Sequence, residues 1–167
     1  MRLMVLLYSV CGQGHAGVIA GLLRALQQRD PTCAVLVVSG GLSPPPGCLP
    51  AGVDLCQLPG FQPSVGLFSG LVPRAQNLPR EVLQKARQRI LLSVLRTLQP
   101  DLVHCEHYPF GRHAFAKEID RVLAAAAALG ARRTAGLAVL GGRTPEHLAE
   151  DLVLQRAQGF DRILVHT

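Results

Sequence analysis

The chain has 167 residues, which is enough for one well-cored domain and too few for two of ordinary size. Hydrophobic residues make up 49% of the chain and charged residues 17%, and the formal net charge is +6. The positive charge favours acidic ligands, but two Tyr, five Phe and no Trp supply few stacking surfaces for bases, which argues against nucleic acid as a partner. No segment has the roughly 20 apolar residues needed to cross a bilayer.

The cysteines and the first residues indicate a cytoplasmic protein. The five cysteines are odd in number and form no C-x-x-C pair, which is typical of reduced thiols and not of a disulfide framework. Arg2 and the apolar run after it resemble the start of a signal peptide, but a Gly-x-Gly turn follows in place of a cleavage site. The run has about the length of a buried strand, and we predict that it forms one.

Apolar runs and helical patterns alternate along the chain. The runs predict six strands, at Leu3–Val10, Cys33–Ser39, Val53–Leu58, Asp101–Glu106, Arg133–Val139 and Arg162–His166. Apolar residues at three-to-four spacing predict four helices, at Ala16–Arg29, Pro79–Leu98, Arg112–Leu129 and Thr144–Gln158. Two segments that break this alternation, Leu42–Gly52 and Pro59–Asn77, are predicted to be loops.

This alternation predicts an α/β fold made of a single Rossmann-like domain over residues 1–167. The near-continuous apolar strands indicate a doubly wound parallel sheet of about six strands with helices on both faces. No helix follows the last predicted strand, so we expect the fold to continue in a segment or a separate chain that lies outside this sequence. The low charged fraction also predicts exposed apolar surface that meets a partner domain, a second copy or a membrane.

The turn after the first strand is the leading candidate for a functional site. It contains Gly12, Gln13, Gly14 and His15, and a helix opens directly behind it. In a parallel α/β sheet this end of the first strand faces the ligand crevice, and glycines let backbone N–H groups approach a ligand. His15 could therefore act as a proton acceptor, or it could only bind a phosphate oxygen or the backbone. The sequence leaves both roles open.

The same turn also satisfies the G-x-G-x-x-G pattern of dinucleotide-binding domains, through Gly12, Gly14 and Gly17. That pattern needs an acidic residue at the end of the second strand to bind ribose hydroxyls, whereas this strand ends in Ser39-Gly40-Gly41. A dinucleotide-binding domain of an NAD(P)-dependent oxidoreductase is therefore an alternative function. A non-catalytic binding module is another.

A short polar run, His104-Cys105-Glu106-His107, offers residue types that bind metals. On a strand His104 and Glu106 face one way and Cys105 faces the other, so the run does not converge on one ion and we expect no metal site. We expect His104 to be a buried, hydrogen-bonded residue. Glu106 and His107 are candidates for the crevice because they lie at the carboxyl end of the fourth predicted strand.

Four segments together resemble a group of bacterial glycosyltransferases. They are the Gly-x-Gly-His turn, residues 37–41, the turn Glu106-His107-Tyr108-Pro109-Phe110-Gly111-Arg112, and residues 160–166. The group is similar to the enzymes that transfer N-acetylglucosamine from a UDP donor to a lipid-linked acceptor, and the resemblance covers nearly the whole chain. The chain departs from the group's pattern at Ala16-Gly17-Val18 and at Leu137-Ala138-Val139, where related chains carry charged residues.

The resemblance implies the N-terminal, acceptor-side domain of a GT-B enzyme, with the donor-binding C-terminal domain absent from this chain. It implies that His15 is the catalytic base that deprotonates the acceptor hydroxyl. It places the substrate or phosphate contacts at Gly12, Gln13, Gly14, Glu106, His107 and Arg112. The donor substrate would be a UDP-linked sugar, and no cofactor or metal would be required.

The predicted helix Pro79–Leu98 carries five basic residues. It has Arg80, Lys85, Arg87, Arg89 and Arg96 among its apolar positions. These residues either form an ordinary solvated face or attract anionic lipid, which would bring the chain to a membrane as a peripheral protein. The clustering of the side chains decides between the two, and the sequence does not give it.

Overall fold

A computed structural model describes residues 1–10, 12–63, 70–75, 77–138 and 150–166. In chain order the strands in these ranges are β1 (Arg2–Leu7), β2 (Ala34–Ser39), β3 (Val53–Gln57), β4 (Phe61–Pro63), β5 (Leu71–Pro73), β6 (Leu102–Glu106), β7 (Arg132–Ala138) and β8 (Arg162–His166). The helices are α1 (Gly14–Arg29), α2 (Arg80–Leu98), α3 (Ala116–Ala128) and α4 (Glu150–Ala157). Within the described residues none of the helices is long and apolar enough to cross a bilayer.

Six of the strands form one parallel sheet in the order β3-β2-β1-β6-β7-β8. Leu3 of β1 lies beside Val35 of β2 on one side and Leu102 of β6 on the other. Without β4 and β5, this is the strand order of a Rossmann fold. In that order the strands are added on one side of β1 up to β3, and from β6 onward they are added on its other side. The predicted fold class is confirmed.

The central strand β1 explains why its sequence is continuously apolar. Met4 and Leu6 point into the core beneath α2 and α3, whereas Leu3, Val5 and Leu7 point into the core beneath α1. Successive residues of a strand face opposite sides, so a strand covered on both faces has no position for a polar residue. Burying each large side chain of this kind stabilises the fold by about 1.5–3 kcal/mol.

The first predicted strand is three residues too long at its C-terminal end. β1 ends at Leu7, whose carbonyl accepts a hydrogen bond from the N–H of Gly40, and the N–H of Leu42 then donates to Ser9. Beyond Leu7 the chain stays close to the residues that follow β2 through these bonds, without regular strand pairing. Tyr8 and Ser9 are buried all the same, which is why the apolar pattern extends past the strand.

Part of the predicted loop Pro59–Asn77 is ordered as a two-stranded antiparallel ribbon. β4 and β5 pair there, with Phe61 opposite Pro73. Phe61 is buried, so burial of this ring anchors the ribbon to the core in spite of the surrounding glycines and prolines. Phe68, the other ring in this predicted loop, lies outside the described residues.

One predicted helix begins later in the structure than in the sequence prediction, and the start of another cannot be compared. The helix predicted from Arg112 begins at Ala116, because Arg112 takes a left-handed conformation (φ 63°) and a single 3-10 turn, His113–Phe115, comes before α3. The helix predicted at Thr144–Gln158 is described from Glu150 onward, and residues 144–149 lie outside the described part of the chain.

The edge strand β8 departs from the expectation of a sheet covered on both faces. Ile163 is 40% exposed, Leu164 39% and Val165 61%. Arg156 of α4 is 3.4 Å from the carboxylate of Asp120 on α3, but none of the described residues of α4 is buried. The sheet is therefore well covered at its centre and has an exposed apolar edge at β8.

Arg87 does not lie on the solvated face of α2, as one interpretation of its basic residues supposed. Its guanidinium is fully buried and donates two hydrogen bonds to Glu118 of α3, of 2.6 and 3.1 Å. It also lies 5.1–5.8 Å from the ring centres of Tyr8, Phe61 and Phe115. The pair joins α2 to α3 because the desolvated charge is satisfied by the carboxylate and by the aromatic faces.

Candidate functional site

The candidate site lies at the carboxyl ends of β1 and β6, which are neighbours in the sheet. Gly12 has φ 79°, a left-handed conformation that favours glycine, and Gln13 is anchored by a 3.1 Å hydrogen bond from its side chain to the carbonyl of Ser43. α1 then begins at Gly14, and His15 falls in its first turn. Cys11 lies outside the described residues.

His15 and Glu106 form a hydrogen-bonded pair across this edge of the sheet. The Nδ1 atom of His15 is 2.9 Å from Oε1 of Glu106, the last residue of β6. The Glu106 side chain is 1% exposed and that of His15 is 14% exposed. Nε2 of His15 forms no hydrogen bond to a described residue, and it is not fully buried. It is therefore the ring nitrogen that a ligand can reach.

Glu106 is held as a carboxylate at the centre of three imidazoles. Burial by itself would raise the pKa of Glu106, but the imidazoles of His104 and His15, with a further contribution from His166, lower it to about 2. Nε2 of His104 is 3.5 Å from one carboxylate oxygen, and Nε2 of His166 is 3.4 Å from the other. An ionised carboxylate only accepts hydrogen bonds, so the proton between the paired residues belongs to Nδ1 of His15.

His104 is the buried, hydrogen-bonded residue that its place on β6 predicts. Its Nδ1 lies 3.0 Å from the hydroxyl oxygen of Thr134 on β7. Cys105 faces the opposite side of the sheet, into the core, where burial raises the pKa of its thiol. In the ranges that the structure describes, no group of three or more His, Cys, Asp or Glu residues is placed to hold a metal ion.

His107 lies beside His15, with 4.9 Å between the two ring centres. Burial, together with the positive charges of Arg112 and His15, lowers the pKa of His107 to about 4, so its ring is neutral at pH 7. The residue has φ 62°, and its N–H donates to the carbonyl of Gly136. A side chain at Gly111 would approach the His107 ring to 2.5 Å, so glycine is needed there to admit the ring.

The turn that follows is anchored to α3 through Tyr108. Tyr108 is fully buried, and its hydroxyl donates to the carboxylate of Asp120. Arg112, a predicted ligand contact, has φ 63° and starts the 3-10 turn, and its charge acts on His107. The structure therefore brings Gly12, Gln13, Gly14, His15, Glu106 and His107 to one edge of the sheet and places Arg112 beside them.

Two residues of this site were missed in the sequence. A Cβ at Gly136 of β7 would lie 2.0 Å from a carboxylate oxygen of Glu106 and 3.1 Å from Nε2 of His104, so only glycine leaves room for the acid. His166 reaches Glu106 from the end of β8. A polar residue at the end of a predicted parallel strand was a usable signal for His166, but nothing in the sequence marked Gly136.

The geometry gives no support to the dinucleotide interpretation. The third glycine of that pattern normally allows close packing of the helix on the sheet, but Gly17 has no atom within 4 Å of the place where a Cβ would be. At the end of β2, the Ser39 hydroxyl donates to the carbonyl of Leu42, and Gly40 makes room for the Tyr8 ring. Gly40 therefore serves the packing of Tyr8.

Comparison with known proteins finds relatives at the level of structure. No protein-family model matches the chain, and no curated protein matches it significantly. The UDP-GlcNAc 2-epimerase of Methanocaldococcus jannaschii matches with a TM-score of 0.56 and 12% identity over 100% of this chain and 40% of its own. A UGT transferase of Siraitia grosvenorii in complex with UDP matches with a TM-score of 0.51 and 16% identity, over 83% of this chain and 28% of its own.

A third solved structure is UGT2 of Phytolacca americana in complex with UDP-2-fluoro-glucose and pterostilbene. It matches with a TM-score of 0.50 and 15% identity, over 83% of this chain and 31% of its own. The chain has the Rossmann-like fold of a GT-B domain. It spans between 28% and 40% of the length of these three proteins.

Proposed function

We propose that this chain is the acceptor-side domain of a GT-B glycosyltransferase, in which His15 removes the proton from the acceptor hydroxyl. The observation that carries the proposal is the 2.9 Å contact between Nδ1 of His15 and the buried carboxylate of Glu106. A carboxylate that accepts the Nδ1 proton leaves Nε2 as the basic nitrogen, and Nε2 is the atom that a ligand can reach.

The roles of the two residues follow from their environments. As Nε2 takes up the acceptor proton, the imidazole gains a positive charge, which the adjacent carboxylate of Glu106 stabilises. The carboxylate remains ionised throughout because its pKa is about 2. A well-placed base of this kind contributes about 10²–10⁴-fold to the rate. His107, neutral at pH 7, lies next to His15 without adding a charge that would disfavour proton uptake.

The substrates are a nucleotide-sugar donor, which we take to be UDP-linked, and an acceptor with a hydroxyl group. Two of the structural neighbours are solved with UDP or a UDP-sugar analogue, and one of these also holds pterostilbene. In the proposal, Gly12, Gln13, Gly14, His107 and Arg112 contact the substrates beside the pair. The donor is bound mostly by a second Rossmann-like domain that is not part of this chain. The four described cysteines are free, and we place the enzyme in the cytoplasm.

The test is a transfer assay with the complete gene product. UDP-glucose and UDP-N-acetylglucosamine are each offered with a panel of hydroxyl-bearing acceptors, and the glycosylated product is detected by mass spectrometry. His15→Gln should lower the rate by at least about 10²-fold, because glutamine keeps the polar volume but cannot take a proton. Arg24→Gln, an exposed change on the same helix, serves as the control and should leave the rate within about twofold.

Three results would contradict the proposal. One is full activity in His15→Gln, and another is conversion of the UDP-sugar to an isomer without any acceptor, the reaction type of the UDP-GlcNAc 2-epimerase neighbour. The third is tight UDP binding to this chain alone by calorimetry, because the proposal assigns the donor to the other domain. A thermal shift with NADH or NADPH and not with UDP would favour the oxidoreductase alternative.

A further inference from the structure

A cleft of about 720 Å³ opens between the first halves of α2 and α3, apart from the His15–Glu106 pair. The ribbon strands β4 and β5 border it on one side, through Phe61 and Leu71, and the 3-10 turn before α3 borders it on another. Neither His15 nor Glu106 lines it. Its volume lies within the range of about 300–1,000 Å³ that is usual for small-molecule sites.

Four basic side chains line this cleft, two from each helix. They are Arg80 and Lys85 of α2 and Lys117 and Arg121 of α3. All four residues are exposed, and in the part of the chain that the structure describes none of them forms an ion pair. The cluster was invisible in the sequence because its two halves lie more than 30 residues apart.

The acidic groups of the cleft do not cancel this charge. Glu118 lines the cleft, but both of its carboxylate oxygens accept hydrogen bonds from the buried Arg87. Glu81 is then the one lining carboxylate, among the described residues, without such a partner. Both helices also begin at the cleft, α2 at Arg80 and α3 at Ala116, so the positive ends of their dipoles add to the field.

The wall of the cleft offers apolar surface beside these charges. Leu71 is half-buried and Ala114 is exposed there, and behind them lie the almost fully buried rings of Phe61 and Phe115, whose centres are 6.1 Å apart. The Arg87 guanidinium packs against both rings from the protein side, 5.1 Å from the ring centre of Phe61 and 5.3 Å from that of Phe115. A ligand that fits both features has a flat or aliphatic part against this apolar wall and an anionic group among the four cations.

We propose that this cleft binds an amphipathic anion, a molecule that joins a phosphate-type group to an apolar ring or chain. The proposal goes beyond the transferase function, because binding here requires the four cations and the apolar wall and not the His15–Glu106 pair. The anionic group could belong to a soluble phosphoester or to a lipid headgroup, since both present the same chemistry to Lys and Arg side chains.

Isothermal titration calorimetry with matched probes tests the proposal. The probe is 1-naphthyl phosphate, and 1-naphthol and inorganic phosphate each supply one half of its chemistry. We expect 1-naphthyl phosphate to bind more tightly than either, with an affinity that falls as salt is added. Vesicles of phosphatidylcholine with and without phosphatidylglycerol form the lipid arm, measured by co-sedimentation.

The decisive comparison uses two double variants that each remove two positive charges. Lys85→Gln/Arg121→Gln removes one cation of the cleft from each helix and should weaken binding of 1-naphthyl phosphate by about tenfold or more. Arg89→Gln/Arg96→Gln removes two exposed cations of α2 that do not line the cleft and should change the affinity by less than about twofold.

The lipid arm decides the source of the anion. The site is assigned to a lipid headgroup if vesicle binding needs phosphatidylglycerol and is lost in Lys85→Gln/Arg121→Gln but not in Arg89→Gln/Arg96→Gln. It is assigned to a soluble phosphoester if only 1-naphthyl phosphate binds. The proposal is overturned if the two double variants weaken binding equally, if 1-naphthol binds as well as its phosphate, or if neither the probe nor the vesicles bind.

Discussion

Replacing Glu106 by Gln should lower the stability of the fold in a way that depends on pH. In the folded chain the pKa of Glu106 is about 2, against an ordinary value of 4.5. Since one unit of pKa corresponds to about 1.4 kcal/mol, ionisation of this residue stabilises the folded state by about 3 kcal/mol at pH 7. Glutamine resembles the neutral acid in size and cannot supply this term.

The sign of the pH dependence follows from the lowered pKa. Between pH 4.5 and 2 the unfolded chain binds a proton at Glu106 and the folded chain does not, so the stabilisation is complete above pH 4.5 and is lost as the pH falls toward 2. The difference in the free energy of unfolding between wild type and Glu106→Gln should therefore be about 3 kcal/mol at pH 7 and about 1 kcal/mol at pH 3.

Urea unfolding followed by circular dichroism at pH 7, 5, 4 and 3 measures this difference. Glu81→Gln, a change of an exposed glutamate on α2, is the matched control and should alter stability by no more than about 0.5 kcal/mol at each pH. The reasoning is refuted if Glu106→Gln is as stable as wild type at pH 7, or if the difference stays constant between pH 5 and pH 3.

Three further changes test other parts of the structure. Gly136→Ala should lower the free energy of unfolding in urea by about 1–3 kcal/mol, because the added Cβ overlaps the Glu106 carboxylate. Gly17→Ala has open space around it and should not destabilise the fold, so equal effects of the two changes would contradict the reasoning. Arg87→Met should lower the free energy of unfolding by about 3–5 kcal/mol, because Glu118 is left buried and unpaired. Arg87→Met/Glu118→Leu should recover much of this loss, and a double variant as unstable as the single one would contradict the reasoning. The folded chain resists protonation of His107, so the free energy of unfolding should fall as the pH is lowered from 6.5 to 4. His107→Asn should make this fall smaller, and an unchanged dependence on pH would contradict the assignment.

The fold was largely predictable because β1 and its neighbours bury both faces. A strand covered on both sides has to be apolar at every position, and this gives the runs around Leu3 and Val35 a signal that no half-exposed strand has. The boundaries were less predictable. Tyr8 is buried beyond the end of β1, and the ring of Phe61 orders a ribbon within a segment of loop-like composition.

The site was predictable only where it follows from position along a strand. Glu106 ends one predicted strand and His15 follows the turn after another, so their approach followed once β1 and β6 were neighbours. The role of Gly136 depends on a carboxylate from another strand, which no local pattern encodes. Arg87 was misjudged for the same reason, because its partner Glu118 lies on a different helix.

The central claim is that Glu106 fixes the His15 imidazole with Nε2 as the basic nitrogen. Its most direct test is to measure which ring nitrogen carries the proton when His15 is neutral. Long-range ¹H–¹⁵N correlation NMR distinguishes the two neutral forms of histidine, and the measurement needs only this chain, labelled and held above the titration range of the ring. The account predicts the proton on Nδ1, with Glu106→Gln shifting the population toward the other form. A proton on Nε2 in the unaltered protein would contradict it.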